Sequence, residues 1–271
     1  MKRLLIIFFS IVLLASCQKF SDVNTSEKTV VTYCVQPSVI FEVKSPGEAS
    51  AINVLWYGVF HKKDNGDYVY MNDMSAFVEV SDISDIKVPI TLIKDQEYRL
   101  VFVAQHRIES ANRSNIYTYN VGTDGILYRN VDAPIASGEQ LDVFVACDEV
   151  GPIVGNENRN ITLERPVAQI NIATSATELP GTLDVTFSGM PASYDIFNNR
   201  YSDEIAQLDL AAQLPAGGIL TVDGTDYSRL STTYIFGGNK IDCTIKYNTT
   251  TKTVSGVATA PNHKTNIVGN I

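Results

Sequence analysis

The chain has 271 residues, and 30 acidic against 21 basic residues give it a formal net charge of −9 at pH 7. An acidic surface repels nucleic acid and anionic lipid headgroups, which excludes both as expected partners. The hydrophobic fraction of 45% is typical of a globular protein and excludes a disordered chain.

The N-terminal segment has the pattern of a lipoprotein signal peptide. Met1-Lys2-Arg3 precedes an apolar run of 11 residues, Leu4–Leu14. Spanning a bilayer takes about 20 residues, so the run fits the h-region of a secretory signal. Leu14-Ala15-Ser16-Cys17 is typical of a lipobox, although an ordinary signal peptide with a chance cysteine is the alternative. We expect residues 1–16 to be removed and Cys17 to carry the acyl chains as the first mature residue.

Loss of the signal peptide also removes Lys2 and Arg3, so the net charge of the remaining 255 residues becomes −11. The mature protein is therefore expected at the outer membrane of a bacterium, on the cell surface, where the N-terminal lipid rather than a basic patch anchors it. Residues 17–28 are polar and are predicted to be a flexible tether.

A first β-sandwich is predicted over residues 29–155. Thr29–Val35 is an apolar strand candidate, and Asn53–Phe60 is apolar on both faces, as a central strand would be. Asn65-Gly66 is a strong two-residue hairpin signal, and Tyr68–Met71 is the predicted returning strand.

Period-two alternation continues through the first half of the chain. Lys87–Leu92 and Tyr98–Ala104 alternate on either side of Lys94–Glu97, which predicts a hairpin. A further strand is predicted near the end of this half, with one face lined by Leu141, Val143, Val145 and Cys147.

Gly151–Asn160 has no periodicity, and we place a domain boundary there. A second β-sandwich is predicted over residues 161–271. Its strand candidates are Ile161–Ala173, Thr182–Phe187, Ile241–Tyr247 and Val254–Ala258. Val185, Phe187, Ile170, Ile172, Ile241 and Ile245 are its predicted core. Only Ser202–Leu214 suggests a short helix, with Ser202 as the N-cap. Regularly spaced strands indicate an all-β chain of two sandwich domains.

The sequence contains little that points to catalysis. His61, His106 and His263 stand alone, and no catalytic, cofactor or metal motif is found, so no catalytic residue, cofactor or metal ligand is assigned. The acidic turns Asp64–Asp67 and Asp223–Asp226 lack the spacing of a calcium loop and are interpreted as hairpin turns.

Cysteines and aromatic residues leave alternatives open. Cys34, Cys147 and Cys243 are interpreted as small apolar residues of the interior, although one disulfide would suit an oxidising compartment. Trp56 and Tyr57 lie in an apolar strand, where core packing is expected for at least one of them. Tyr117 and Tyr119 lie in a polar segment and are the better candidates for surface contact. Trp56 and Tyr57 are the pair that could stack on a sugar, so a glycan ligand stays open.

At Arg165–Asn171 (RPVAQIN) the chain resembles the fimbrillin superfamily, the lipoprotein pilins of Bacteroides-like bacteria. Ile52–Phe60 with Asn65-Gly66, Tyr98–Gln105 and Lys264–Asn270 are similar to further segments of that family. The resemblance implies two transthyretin-like β-sandwiches and other pilus subunits as partners. In this family a protease cuts after an N-terminal arginine, and the groove that is opened accepts a strand from the next subunit.

Two features depart from the family pattern. No arginine lies between Cys17 and Tyr98, and Lys28 and Lys44 are the nearest substitutes. The sequence also stops at Ile271, where family members commonly continue, so we expect either that the terminal strand is absent or that this is a shortened form. We therefore expect a non-enzymatic, lipid-anchored structural or anchoring subunit of a pilus that assembles by β-strand addition. The alternative is a surface lipoprotein that binds a glycan or another host ligand.

Overall fold

The computed structural model describes residues 27–38, 49, 51–84, 86–108, 116–120, 125–129, 138–175, 179–214 and 218–270. Within these ranges the chain is built from β-strands, and its only helical turns are two 3₁₀ turns, Asn72–Met74 and Glu139–Leu141. The all-β class predicted from the alternation is confirmed. No helix in the described part of the chain is long and apolar enough to cross a membrane.

Twenty strands are numbered in chain order. The first ten are β1 (Lys28–Pro37), β2 (Val54–Lys62), β3 (Tyr68–Tyr70), β4 (Ala76–Glu79), β5 (Ile86–Ile93), β6 (Tyr98–Gln105), β7 (Tyr117–Asn120), β8 (Ile126–Arg129), β9 (Val143–Val150) and β10 (Glu157–Leu163). The second ten are β11 (Val167–Thr174), β12 (Gly181–Pro191), β13 (Ser193–Asp195), β14 (Arg200–Tyr201), β15 (Ile205–Leu214), β16 (Ile219–Val222), β17 (Thr225–Phe236), β18 (Lys240–Tyr247), β19 (Thr250–Ala258) and β20 (Lys264–Gly269).

Two sheets form the first layer pair. One has the order β10-β1-β5, and the other has the order β3-β2-β6-β9, with β4 also paired to β2. Their facing side chains form one buried cluster that includes Val31, Val88, Leu100 and Phe102. Strand β5 alternates strictly between buried and exposed residues, as a strand covered on one face should.

The β3-β2-β6-β9 sheet is covered on its other face as well. There Trp56, Val101 and Val143 belong to a second buried cluster, together with Leu127 and Tyr194 from the small sheet β14-β13-β8-β7. Seven of the eight residues of β6 are consequently buried. The apolar character of Asn53–Phe60 on both faces, which predicted a central strand, has this cause.

The last two sheets form a second layer pair, with the orders β16-β17-β11-β20 and β15-β12-β18-β19. The six residues predicted as the core of the second sandwich all belong to its buried cluster: Ile170, Ile172, Val185, Phe187, Ile241 and Ile245. In β12 the burial alternates from Leu183 through Phe187, which confirms the predicted phase of this strand.

The predicted hairpin across Lys94–Glu97 is wrong. Strand β5 pairs with β1, whereas β6 pairs with β2 and β9, so Lys94–Glu97 connects two different sheets. Asp95 has a positive φ of 59°, and its N–H donates to the carbonyl of Ile153. Alternation reports which face of a strand is buried but not which strand lies beside it. The same alternation is therefore expected whether β5 and β6 form a hairpin or lie in different sheets.

The predicted helix over Ser202–Leu214 is also wrong, because Ile205–Leu214 is strand β15. It pairs with β12 along its whole length, with Phe187 opposite Leu208. Leu208, Leu210 and Ala212 are buried at every second position, so the ladder and the core outweigh the local capping signal at Ser202.

The segment Gly151–Asn160 contains the start of a strand that its composition did not predict. Strand β10 begins at Glu157 and pairs in parallel with β1 through Leu163. The half-buried positions of β10 include Glu157 and Arg159, and these charges hide the alternation from a hydrophobicity pattern. Residues 161–163 thus lie in the sheet of β1, and the division into two separately folded domains stays a prediction.

Replacing Phe187 with alanine should lower the free energy of unfolding by about 3–5 kcal/mol, the range for truncating a buried phenylalanine. Phe187 has no exposed surface. The matched control is Thr186→Ala on the opposite face of β12, where Thr186 donates a hydrogen bond to Asp209 over 2.6 Å. That substitution should cost about 1 kcal/mol or less. Equal losses in urea denaturation would show that the face of β12 is assigned wrongly.

Candidate functional site

Strand β1 is the N-terminal strand of the described chain, and it lies in the middle of its sheet. It runs antiparallel to β5, where Lys28 is opposite Ile93 and Val35 is opposite Ile86. It runs parallel to β10, where Val31 is opposite Glu157 and Pro37 is opposite Leu163. Strands β5 and β10 do not pair with each other, so β1 joins them. We call the position between β5 and β10 the β1 slot.

The inner face of β1 fills the core of the first layer pair. Val31, Tyr33 and Val35 have no exposed surface, whereas Thr32 and Cys34 on the outer face are partly exposed. The Tyr33 ring packs on Phe102, with 5.0 Å between the ring centroids. Removal of this strand would therefore uncover apolar side chains and two unpaired strand edges, the features that accept an added strand.

The Tyr33 hydroxyl makes a polar contact at the bottom of the β1 slot. It donates to Asp148 Oδ2 on β9 over 2.8 Å. The same carboxylate oxygen accepts from Arg159 Nη1 over 2.8 Å, and Arg159 Nε donates to Glu157 over 2.6 Å. Burial and the Asp148 carboxylate raise the pKa of the Tyr33 phenol above its ordinary value, so the hydroxyl keeps its proton and acts as a donor.

A second buried polar group lies where the two layer pairs meet. Arg165 Nε and Nη2 both donate to the Asp142 carboxylate, at 2.9–3.1 Å, and Nη1 donates to Asn262 over 2.7 Å. The guanidinium also lies over the Phe144 ring, 4.4 Å from its centroid. Burial raises the pKa of the Asp142 carboxyl to about 6, although the Arg165 guanidinium beside it acts in the opposite direction.

Other polar residues of the segment Arg165–Asn171 are also buried and bonded. Gln169 Nε2 donates to Glu139 over 3.0 Å. Asn171 Nδ2 donates to Asn266 over 2.9 Å, and Asn171 Oδ1 accepts from Thr232 over 2.8 Å. The polar positions that carry the family resemblance thus join β11 to its neighbours rather than form a ligand site.

The histidines make separate local contacts. His61 Nε2 is 2.7 Å from Gln96, while the Nδ1 atoms of His106 and His263 face backbone carbonyls of Ala51 and Pro261. Within the described ranges, no group of three or more histidine, cysteine or acidic residues is arranged to hold a metal ion.

Of the two tyrosines proposed for surface contact, Tyr117 is buried and Tyr119 is partly buried. Tyr117 is 1% exposed and donates its hydroxyl to the Leu141 carbonyl. Tyr119 stacks on Trp56 with 3.8 Å between the centroids, and Trp56 is itself buried. The prediction of surface contact is wrong for Tyr117, and Tyr119 is partly buried, because both pack against the second cluster from strand β7 although the surrounding sequence is polar.

Cys34, Cys147 and Cys243 are free thiols in the structure. Burial raises the pKa of Cys147 and of Cys243 to about 12, so neither is a reactive thiolate at neutral pH. Cys147 borders a cavity of about 230 Å³ together with Glu164, Tyr194 and Phe197. Typical small-molecule pockets begin at about 300 Å³, so this cavity gives little support to a ligand site.

The lipobox and Cys17 lie outside the described residues, as do residues 17–26 of the predicted tether and Lys44. The candidate site within the described residues is the β1 slot. Strand β1, which fills it, begins at Lys28, 11 positions after Cys17.

Comparison with protein families gives one match. Residues 56–271 match the family described as "Family of unknown function (DUF6562)". No curated protein matches the chain.

Solved structures with a similar fold come from Bacteroides and related bacteria. A proposed polysaccharide-binding protein (DUF1812) of Bacteroides thetaiotaomicron has a TM-score of 0.53 at 13% identity, over 83% of this chain and 78% of that one. A proposed adhesin of the same species has a TM-score of 0.53 at 12% identity, over 89% and 82%. The fimbrial anchor protein Mfa2 of Porphyromonas gingivalis is more distant, with a TM-score of 0.46 at 11% identity, over 81% and 77%. The first two similarities establish a shared fold.

Replacing Arg165 with alanine should lower the free energy of unfolding by about 3–5 kcal/mol, because it leaves the Asp142 carboxylate buried without its cation. The two side chains are 4% and 2% exposed. The matched control is Arg200→Ala, since Arg200 pairs with Asp195 but is 73% exposed. That change should cost about 1 kcal/mol or less. Similar midpoints for the two variants in urea would contradict a structural role of the buried pair.

Proposed function

We propose, for a chain that belongs to the DUF6562 family, that it is a non-enzymatic lipoprotein of the bacterial cell surface. Its role is that of a fimbrillin-like structural or anchoring subunit, and other pilus subunits are its partners. Assembly takes place by β-strand addition at the β1 slot, and the lipid on Cys17 attaches the subunit to the outer membrane.

The observation that carries this proposal is the position of β1. Strand β1 is the first strand of the described chain, yet it lies in the middle of a sheet. Its Val31 and Val35 side chains fill the core. When such a strand leaves, a slot opens between β5 and β10 and uncovers apolar side chains of the core. The free edges of β5 and β10 then supply the backbone donors and acceptors for a replacement strand.

The shared fold supports this proposal. The similar proteins of Bacteroides thetaiotaomicron are described as a proposed adhesin and a proposed polysaccharide-binding protein. Of these two descriptions, adhesive assembly agrees better with the site. Tyr117 and Trp56 are buried, and the cavity beside Cys147 is small, whereas β1 packs on the apolar side chains of the first core cluster.

The absence of arginine between Cys17 and Tyr98 indicates how the subunit is used. A protease that requires arginine has no target before or directly after β1, so most copies keep this strand. Lys28 is exposed, but it is already paired with Ile93 as the first residue of β1. A subunit that keeps β1 and its lipid would end a pilus at the membrane as an anchor.

Cys17→Ala should leave the precursor with its signal peptide and without lipid, because the thiol of Cys17 is the acyl acceptor. The measurement is the intact mass of membrane-extracted protein, together with its partition into detergent. Cys34→Ala is the matched control and should be processed like the wild type. Unchanged cleavage and detergent partition of Cys17→Ala would contradict the lipoprotein assignment.

Cleavage behind β1 should convert the monomer into a form that takes up strands. The variant carries a sequence-specific protease site inserted after Ser38, and the detergent-extracted chain is cut there. Size-exclusion chromatography should then show higher oligomers, or uptake of an added labelled peptide with the sequence of Lys28–Pro37. The same protein before cutting is the control and should remain monomeric. If the cut protein stays monomeric and takes up no peptide, strand exchange is contradicted and the ligand-binding surface lipoprotein becomes the better explanation.

A further inference from the structure

The inner face of β1 carries two polar side chains, Thr29 and Tyr33, among apolar ones. Val31, Tyr33 and Val35 are the consecutive inward residues, and all three have no exposed surface. Thr29 donates to Asn156 at the start of the strand, whereas the Tyr33 hydroxyl reaches across the core to Asp148 on the opposite sheet. We propose that the β1 slot selects a partner strand that carries a tyrosine at the position of Tyr33, between two β-branched residues. This inference rests on the proposed function, because it assumes that β1 can be replaced.

The selecting group is built from both sheets. Asp148 lies on β9, whereas Arg159 lies on β10 directly opposite Tyr33 in the parallel ladder. Arg159 is held by Asp148 over 2.8 Å and by Glu157 over 2.6 Å. Both charged groups are therefore in place before a strand arrives, and the second contact of Asp148 Oδ2 is the Tyr33 hydroxyl.

The chemistry of this position favours a neutral donor on an aromatic ring. Asp148 accepts hydrogen bonds, so an acidic residue in the incoming strand would meet a like charge. A cationic residue would have to bury its charge at a position without exposed surface, close to the Arg159 guanidinium. An aliphatic residue would lose the packing on Phe102, at 5.0 Å from the Tyr33 ring. A phenylalanine keeps that packing and loses only the hydrogen bond, which makes it the sharpest comparison.

The test uses the detergent-extracted chain cut after Ser38, exchanged in mild denaturant against labelled decapeptides. The peptide of Lys28–Pro37 should bind about 10-fold more tightly than the same peptide with Tyr33→Phe, as expected for one hydrogen bond to a charged group. This 10-fold difference is at the lower end of what a hydrogen bond to a charged group contributes, because the Asp148 side chain is 28% exposed and so partly solvated. The control peptide carries Thr32→Val, which removes a hydroxyl from the outer face and should bind within about 2-fold of the wild type.

A receptor variant completes the comparison. In a cut chain with Asp148→Ala, the tyrosine and phenylalanine peptides should bind alike, because the acceptor is gone. If the Asp148→Ala chain does not fold, the two peptides are still compared on the unaltered chain, which decides the question alone. Equal binding of the two peptides to the unaltered chain would overturn the tyrosine preference and leave strand exchange intact. No uptake of the wild-type peptide would overturn both.

Discussion

The rest of the structure depends on the burial of the β3-β2-β6-β9 sheet on both faces. A sheet that is apolar on both sides has to be covered twice, because each uncovered valine, leucine or isoleucine forfeits about 1.5–3 kcal/mol of burial free energy. One face is covered by the small sheet with Leu127 and Tyr194. The other is covered by β5, β10 and β1, so the N-terminal strand completes a layer on which the central sheet depends.

This dependence explains why β1 can be both stable and replaceable. Its stability comes from two ladders, eight residue pairs with β5 and seven with β10, and from an inner face without exposed surface. None of these contacts is covalent, and none is made by a neighbour close in sequence. A replacement strand that restores both ladders and the inner face would recover most of the lost free energy, but it must run in the direction of β1, parallel to β10.

The sequence predicted those parts of the fold that local alternation determines. Leu183, Val185 and Phe187 alternate with polar residues, and the strand follows. Alternation does not identify the neighbouring strand, which is why the connection Lys94–Glu97 was predicted as a hairpin. It also fails where charged residues point inwards, as Arg159 does on β10. The Tyr33–Asp148 contact joins residues 115 positions apart, and nothing in either local sequence indicates it.

The same contact connects stability with recognition. An inner face made only of valine would fill the slot through shape alone, and many apolar strands would then fit it. A single hydroxyl directed at a charged pair changes this, because a strand without it leaves the Asp148 carboxylate with only Arg159 as a side-chain partner in this group. The net strength of one hydrogen bond is small, about 1.5–3 kcal/mol when one partner is charged. It is nevertheless enough to rank competing strands, since the two ladders are shared by every strand that enters and do not distinguish among them.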